Sequence, residues 1–405
     1  MKHRRLIIGY ILLIWFVISF VTNLIGPLMP IMIDEFHLSL AMAGFLPFSF
    51  FLAYGLISIP GGLLVESKGG RGTLFCAFGL NLAGSLVIAL QPQYATVIGG
   101  LFTIGLGMAL LQVVINPLLR TAGGEAQFAF YSVMAQLVFG LASFLSPLVF
   151  RWLMADAGPA RTVGVWVAFY WAFSLLFCVL LVVNRILPLP KLELTDSEKS
   201  GGWYAYRELL DRRDVRLFFV GLVAYVGTEQ SLANWMSQFL STYHHISPSG
   251  AGADAVGQFW GLMALGCLAG LGLLKLLDSR AVLALFAVLA LGCVGLALFG
   301  SAQAAVLAFP ASGFCLSVMF SVIFSLALNS VPTHHGALSG ILCTGILGGA
   351  LLPLLVGWLG DLVGLRLAMT LLFLTLFFIL GIAGWARPLV RNHVVNFKKQ
   401  NLERS

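Results

Sequence analysis

The sequence predicts an all-α, polytopic membrane protein of twelve transmembrane helices in two pseudo-equivalent six-helix bundles, and three observations predict it. Of 405 residues, 60% are hydrophobic and only 10% charged, where a soluble domain carries about a quarter charged residues. Apolar stretches of the length that crosses a hydrocarbon core, about 20 residues, lie near 6–30, 42–65, 73–90, 95–119, 127–150 and 162–186. A second set of six lies near 216–240, 255–277, 281–300, 304–329, 337–359 and 366–386, beyond one polar interruption.

Each stretch must be helical, because irregular backbone facing lipid leaves amide and carbonyl groups unpaired at several kcal/mol each. The 45 glycines fit this reading, since small residues let membrane helices approach closely. The first stretch follows a basic start but is too long for a signal peptide and lacks a small-residue cleavage site, so it reads as the first span. The polar segment Pro188 to Arg216, with its Gly201-Gly202 break and a short amphipathic piece from Tyr204 to Asp211, reads as the linker. The expected organisation is an N-terminal bundle over 1–187, a cytoplasmic linker over 188–215, a C-terminal bundle over 216–387 and a cytoplasmic tail over 388–405.

Basic residues orient the chain. Twenty of the 23 Lys and Arg fall in loops on one side, and only Arg151, Arg161 and Arg366 on the other. The positive-inside rule then puts both termini and the linker in the cytoplasm, as an even number of spans requires. The net charge of +7 has this topological explanation, so no nucleic-acid partner is expected. The six cysteines, Cys76, Cys178, Cys267, Cys293, Cys315 and Cys343, all fall in expected spans without metal-ligand spacing, and packing as small apolar residues is expected of them.

A parallel duplication should repeat residues at a constant offset. Pro147 to Leu153 (PLVFRWL) answers to Pro353 to Leu359 (PLLVGWL), and the same offset carries Thr22-Asn23 of the first span onto Thr228-Glu229 of the seventh. The spans so equated hold the same rank in each half.

Glu229 is the one Asp, Glu, Lys or Arg near the middle of an expected span. An acid at that depth costs several kcal/mol unless it is protonated, paired or facing a wet cavity, which makes it a functional candidate; a protonated Glu tying two helices together is the plainer account. At 100° per residue Tyr225, Ala233 and Met236 share its face. The amides Asn23, Gln112, Asn116, Gln136, Gln230, Asn234 and Gln238 are donors and acceptors suited to an uncharged, polyhydroxylated solute. Tyr225, Trp235, Trp260, Trp166 and Tyr170 offer flat apolar faces. Interhelical hydrogen bonding and interfacial anchoring explain any one of these equally well. Asn116-Pro117 and Pro353 predict kinks, and Gly348-Gly349 a hinge beside the latter.

The residues now support a resemblance. The twelve-span pattern resembles the major facilitator superfamily, and Gly62-Leu63-Leu64-Val65-Glu66-Ser67-Lys68-Gly69-Gly70-Arg71 resembles a degraded form of its loop signature between spans two and three. Within the superfamily several stretches are similar to the fucose/galactose/glucose symporter family. They are Tyr225 to Glu229 with Trp235 (its YVGxE segment), Met319 to Leu326 (its YPTIFSL run), Gly348 through Pro353 and Gly357 to Asp361, Asn116-Pro117 (its ANP), and Gln136 with Phe144 and Pro147. The fucose-permease branch carries an Asp in span one and a Glu before the ANP, where this chain has Gly26 and Gln112. The fifth-span Asn common in the family is Phe139 here, and the Arg that commonly follows the eighth-span Gly is Cys267.

The resemblance implies a secondary transporter of a monosaccharide or related small polar solute, working by alternating access in symport with H⁺ or Na⁺ through Glu229. Asn23, Gln112, Asn116, Gln136, Tyr225, Asn234, Trp235, Gln238 and Trp260 are then the expected solute contacts, and Gly62, Glu66, Lys68, Gly69, Arg71 and Asp361 the expected gating residues. An exporter of amphiphilic, drug-like compounds and an uncoupled sugar facilitator are the alternatives. No catalytic constellation marks an enzyme, and no GxxxxGK[ST] loop marks ATP-driven transport. His244-His245 and His334-His335 lie in loops on opposite sides, so a metal site is not expected, nor any cofactor beyond the coupling ion. The expected setting is a monomer in the bilayer of a bacterial inner membrane.

Overall fold

The computed structural model describes residues 4–123, 125–155, 162–190, 203–331 and 335–387, and these are helical with short connections. Span one is split into α1 (Arg4–Thr22) and α2 (Ile25–Phe36). The split falls at Asn23-Leu24 because Pro27 has no N–H for the Asn23 carbonyl. Spans two and three form one run, α3 (Leu40–Leu90), bent only at Gly69, whose φ of +68° is left-handed. The stretch expected as an intervening loop is therefore helical on either side of one glycine, the residue that tolerates such a φ without a Cβ clash. α4 (Tyr94–Gly123), α5 (Glu125–Ala155) and α6 (Thr162–Ile186) complete the first half.

The linker carries α7 (Trp203–Asp211), which packs on the second half, with the Tyr206 side chain lying over Gly340. Residues 191–202, and the tail at 388–405, lie outside the described residues. Span seven is α8 (Arg213–His244), span eight α9 (Ala253–Leu276) and span nine α10 (Ser279–Phe299). Span ten divides into α11 (Ala302–Leu316) and α12 (Met319–Leu328). Span eleven runs through α13 (His335–Thr344), a 3-10 turn at Gly345–Leu347 and α14 (Gly348–Val363), and span twelve through α15 (Leu365–Ala368) and α16 (Leu371–Trp385). The expected kinks are thus redistributed. α4 continues through Pro117 and α14 through Pro353, while the spans are interrupted at Asn23-Leu24, Ser317-Val318, the turn before Gly348 and Met369-Thr370.

Eleven stretches among the described residues are long and apolar enough to cross a membrane. The twelfth expected span, α8, falls short because Thr228, Glu229, Gln230, Ser231, Asn234, Ser237 and Gln238 crowd its second half. It is shielded accordingly, with all of these but Glu229 and Gln238 buried.

Between the halves, α3 packs on α14, α5 on α9, and α2 on α8. The repeat equates span two with span eight and span five with span eleven, so the first two contacts are one packing arrangement seen twice. All three draw together the face opposite Arg4 and Arg387, here called the distal face. There, Asp361 at the end of α14 accepts from the backbone amides of Leu40 and Ala41, at 2.7 Å each. At the equivalent corner Arg151 of α5 meets Asp254 of α9, Nη1 lying 2.6 and 2.5 Å from the two carboxylate oxygens.

Candidate functional site

The site begins as four side chains on one helix. Tyr225 and Glu229 are four residues apart and so share a face of α8, and the Tyr225 hydroxyl donates to Glu229 Oε2 at 2.5 Å. Gln230 Nε2 donates to the other carboxylate oxygen at 3.1 Å. Asn234 Nδ2 in turn donates to the Gln230 carbonyl at 2.7 Å. Glu229 is half-buried, and among the described residues no Lys, Arg or His forms an ion pair with it. Phe320 of α12 lies 5.9 Å from the Tyr225 ring, and the Cys267 thiol of α9 is close enough to interact electrostatically with the carboxylate. Cys267 Sγ donates to the Ser317 carbonyl at 3.4 Å, satisfying an acceptor at the α11–α12 break.

Span one faces this helix. Thr22, Asn23 and Gly26 meet Gln230, Ala233 and Asn234, and Val256 and Trp260 of α9 close the third side, leaving a cleft too narrow to admit a water molecule. Gly26 makes the approach possible, since a Cβ there would lie 2.6 Å from the Ala233 carbonyl oxygen. The Asp of the fucose-permease branch has no space at this position in this arrangement. Asn23 Nδ2 donates to the Ser19 carbonyl at 2.8 Å and to Ser143 Oγ at 3.0 Å. Ser19 Oγ lies 2.6 Å from both Ser143 Oγ and the Phe139 carbonyl, so a buried Ser-Asn-Ser cluster ties span one to span five. Beside it Trp15 and Phe139 pack edge to face at 5.9 Å.

The structure therefore gathers Asn23, Asn234 and Trp260 along one cleft at the seam of the two halves, with Tyr225 and Glu229 bonded to each other on α8 beside second-half side chains. Of the other expected contacts, Trp235 and Gln238 bond elsewhere. Trp235 is fully buried in the packing of span seven on span eleven, its Nε1–H donating to the Pro353 carbonyl at 3.0 Å. Gln238 donates to Thr242 Oγ1 at 3.1 Å, toward the distal end of α8. Gln112 is half-buried on α4, and no described bond joins it to the group. Trp166 packs on Phe36 and Tyr170. The side chains of Asn116 and Gln136 lie outside the described residues, as does that of Glu66.

Of the expected gating set, Asp361 bridges the halves, and no described bond of Gly62, Lys68, Gly69 or Arg71 does. Arg71 donates to the Leu187 carbonyl, and its own carbonyl accepts from Asn184 Nδ2 at 3.3 Å, bonds that stay within the first half. Lys68 is exposed, and Gly62 has open space where a Cβ would stand. Sequence reasoning noticed Gln230 without seeing it as the partner of Glu229. It missed Ser19 and Ser143 altogether, because serines in a span ordinarily bond back to their own helix and carry no periodic signal.

Chemically, the group is a carboxyl with neutral neighbours. A hydroxyl and a primary amide can each donate or accept, so both protonation states of Glu229 find partners and no ion pair is broken when a proton arrives.

The comparisons with known proteins agree with this frame. Residues 11–345 match the model of the Major Facilitator Superfamily. The chain is similar to the glucose/galactose transporter of Brucella abortus, 31% identical over 88% of each protein. It is also similar to the L-fucose-proton symporter of Escherichia coli, 23% identical over 90% of this chain and 89% of that one. The crystal structure of that fucose:proton symporter superposes with a TM-score of 0.67 at 18% identity, over 94% of this chain and 98% of that one. A bacterial homologue of the lysosomal transporter Spinster superposes with a TM-score of 0.78 at 14% identity, over 95% and 97%. The relatives are transporters and not enzymes, and with eleven to twelve apolar helices this chain is a multi-pass membrane protein that belongs to the Major Facilitator Superfamily.

Proposed function

We propose that the chain is a secondary carrier that takes up a hexose or closely related monosaccharide in symport with a proton, and that Glu229 carries the proton. The observation that carries this reading is the half-buried carboxyl of Glu229 on α8, held by Tyr225 and Gln230 with no described cationic partner, next in sequence to Gln230 of the cleft between the halves. The names of the sequence relatives support a sugar as the cargo.

On the positive-inside rule the termini face the cytoplasm, so on this reading the distal face, joined through Asp361 and Arg151, is the external one. Outward opening separates α2 from α8, α3 from α14 and α5 from α9 by rocking of the two bundles, and it breaks the contacts of Asp361 and Arg151. In that state Glu229 takes up a proton from outside and a sugar enters between the halves. Neutralising the carboxyl lowers the cost of drawing it into the closed seam, where a bare charge is expensive to desolvate. Inward opening releases sugar and proton to the cytoplasm, and the empty carrier returns.

Reconstituted vesicles test this. Glu229→Gln is expected to abolish sugar accumulation driven by a proton gradient while sugar-for-sugar exchange continues. Undiminished accumulation in the variant removes Glu229 as the coupling site. A second reading, export of amphiphilic compounds, is favoured by the Trp15–Phe139 pair in place of a polar fifth-span contact. Loss of efflux without loss of sugar uptake in a deletion strain selects it.

A further inference from the structure

Trp260 is 5% exposed, and its indole N–H has no acceptor among the described residues. Buried Trp side chains ordinarily place that N–H against a partner, and an unpaired buried donor is held at a free-energy cost. The cleft it lines offers no relief, being too narrow for water. Two neighbours there are half-used in the complementary sense. Asn23 and Asn234 spend their amide nitrogens on Ser19, Ser143 and the Gln230 carbonyl, and no described bond engages their amide oxygens. The cleft that the Gly26–Ala233 contact has closed is thus lined by side chains carrying one unpaired donor and two acceptors that no described bond engages.

We propose that this cleft is the collapsed form of an outer hydroxyl-recognition subsite, and that Trp260 is a specificity-determining residue within it. When the distal face opens, one hydroxyl of the sugar accepts from Trp260 Nε1–H and donates to the amide oxygen of Asn23 or Asn234. The subsite is built from spans one, seven and eight together, so closure dismantles it and the sugar is read there only on entry. Glu229 lies on the same helix as Gln230 and Asn234 but is bonded to Tyr225 and Gln230, so hydroxyl recognition and proton carriage are separable. This rests on the sugar-carrier reading.

The test is competition against uptake of labelled glucose and galactose in reconstituted vesicles. A complete series of monodeoxy analogues is compared on the parent, Trp260→Phe and Trp260→His. In the parent, one deoxy analogue is expected to compete about tenfold less well than the intact hexose, the range of one neutral hydrogen bond. In Trp260→Phe the intact hexose loses about the same factor and that analogue loses nothing further. Trp260→His, which keeps an N–H, restores part of the difference. A Trp260→Phe protein that weakens the hexose and every analogue by one common factor overturns the proposal, as does one that leaves hexose competition unchanged. Should Trp260→Phe fail to reach the membrane, Trp260→His carries the comparison, and a flat deoxy series in the parent overturns the proposal by itself. If the parent takes up neither hexose, it is the sugar reading that has failed, a result seen before any variant is made.

Discussion

The carboxylate of Asp361 caps the helix that starts at Leu40, 321 residues earlier in the chain, accepting from the Leu40 and Ala41 amides at 2.7 Å each. A helix supplies no internal acceptor for its first amides, and its N-terminus carries partial positive charge. The bond therefore joins span eleven to span two electrostatically. Asp361→Asn keeps one acceptor and removes the charge. At about 1 kcal/mol for such a contact, it is expected to shift the conformers several-fold toward an open distal face. Thr22→Cys in a background lacking the six native cysteines reports this, with faster labelling by an impermeant maleimide from the distal side.

Arg151 and Asp254 form the equivalent contact at the other corner, with the Arg side chain half-exposed. Exposed pairs contribute about 1 kcal/mol or less, so Arg151→Ala is expected to change transport little. Arg151→Glu replaces attraction by repulsion and is expected to slow sugar exchange several-fold. The double variant Arg151→Glu, Asp254→Arg should recover it, and a double variant as slow as the single one rules out the pair as a latch.

Gly26→Ala tests the seam sterically. Its Cβ would stand 2.6 Å from the Ala233 carbonyl oxygen, a backbone atom that cannot turn aside. Overpacking of this kind costs about 1–3 kcal/mol, and the helices can avoid it only by separating. The expected result is strong distal labelling at Thr22→Cys and slow turnover, with the protein still folded.

Trp235 is expected to behave as a packing residue. Trp235→Phe removes the bond to the Pro353 carbonyl, which keeps its partner within α14, and costs about 0.5–1.5 kcal/mol together with the lost packing of the larger ring. A thermal-shift measurement should show lower stability, while sugar selectivity stays that of the parent.

At the proximal face, Arg212 donates from Nε and Nη2 to Asp214, at 3.1 and 2.7 Å. These bonds hold the Asp214 carboxyl below the usual carboxylate range against the opposing effect of burial. A depressed folded pKa contributes stability that is present above the unfolded value, about 3.9, and is lost as pH falls through the folded one. The parent should therefore melt above Arg212→Gln at pH 7, with the gap closing below about pH 4.

How much was legible beforehand depended on which physics each residue obeys. Glu229 stood out in the sequence because desolvation makes a mid-span acid rare whatever surrounds it, and Tyr225 followed from helical periodicity. Trp235 and Trp260 looked alike as aromatic residues in spans. One turns into the contact with Pro353, and the other lines the cleft with its N–H unpaired. Nothing local distinguishes them, because the partner in each case comes from another helix. The same holds for Arg71, expected as a gating residue, whose side chain meets Leu187 in its own half.

The sequence by itself determined that this protein lives in a bilayer, that its backbone is helical, and that it is built as two sixes with one acid at depth. Those follow from the transfer of side chains and peptide groups into hydrocarbon, a property of composition along the chain. Only the tertiary structure decided that Asp361 reaches Leu40, that Gly26 lets span one touch Ala233, and that Asn23, Asn234 and Trp260 line one cleft. Those depend on how helices hundreds of residues apart fit against one another, and short-range contacts between distant segments leave no periodic mark on either segment alone.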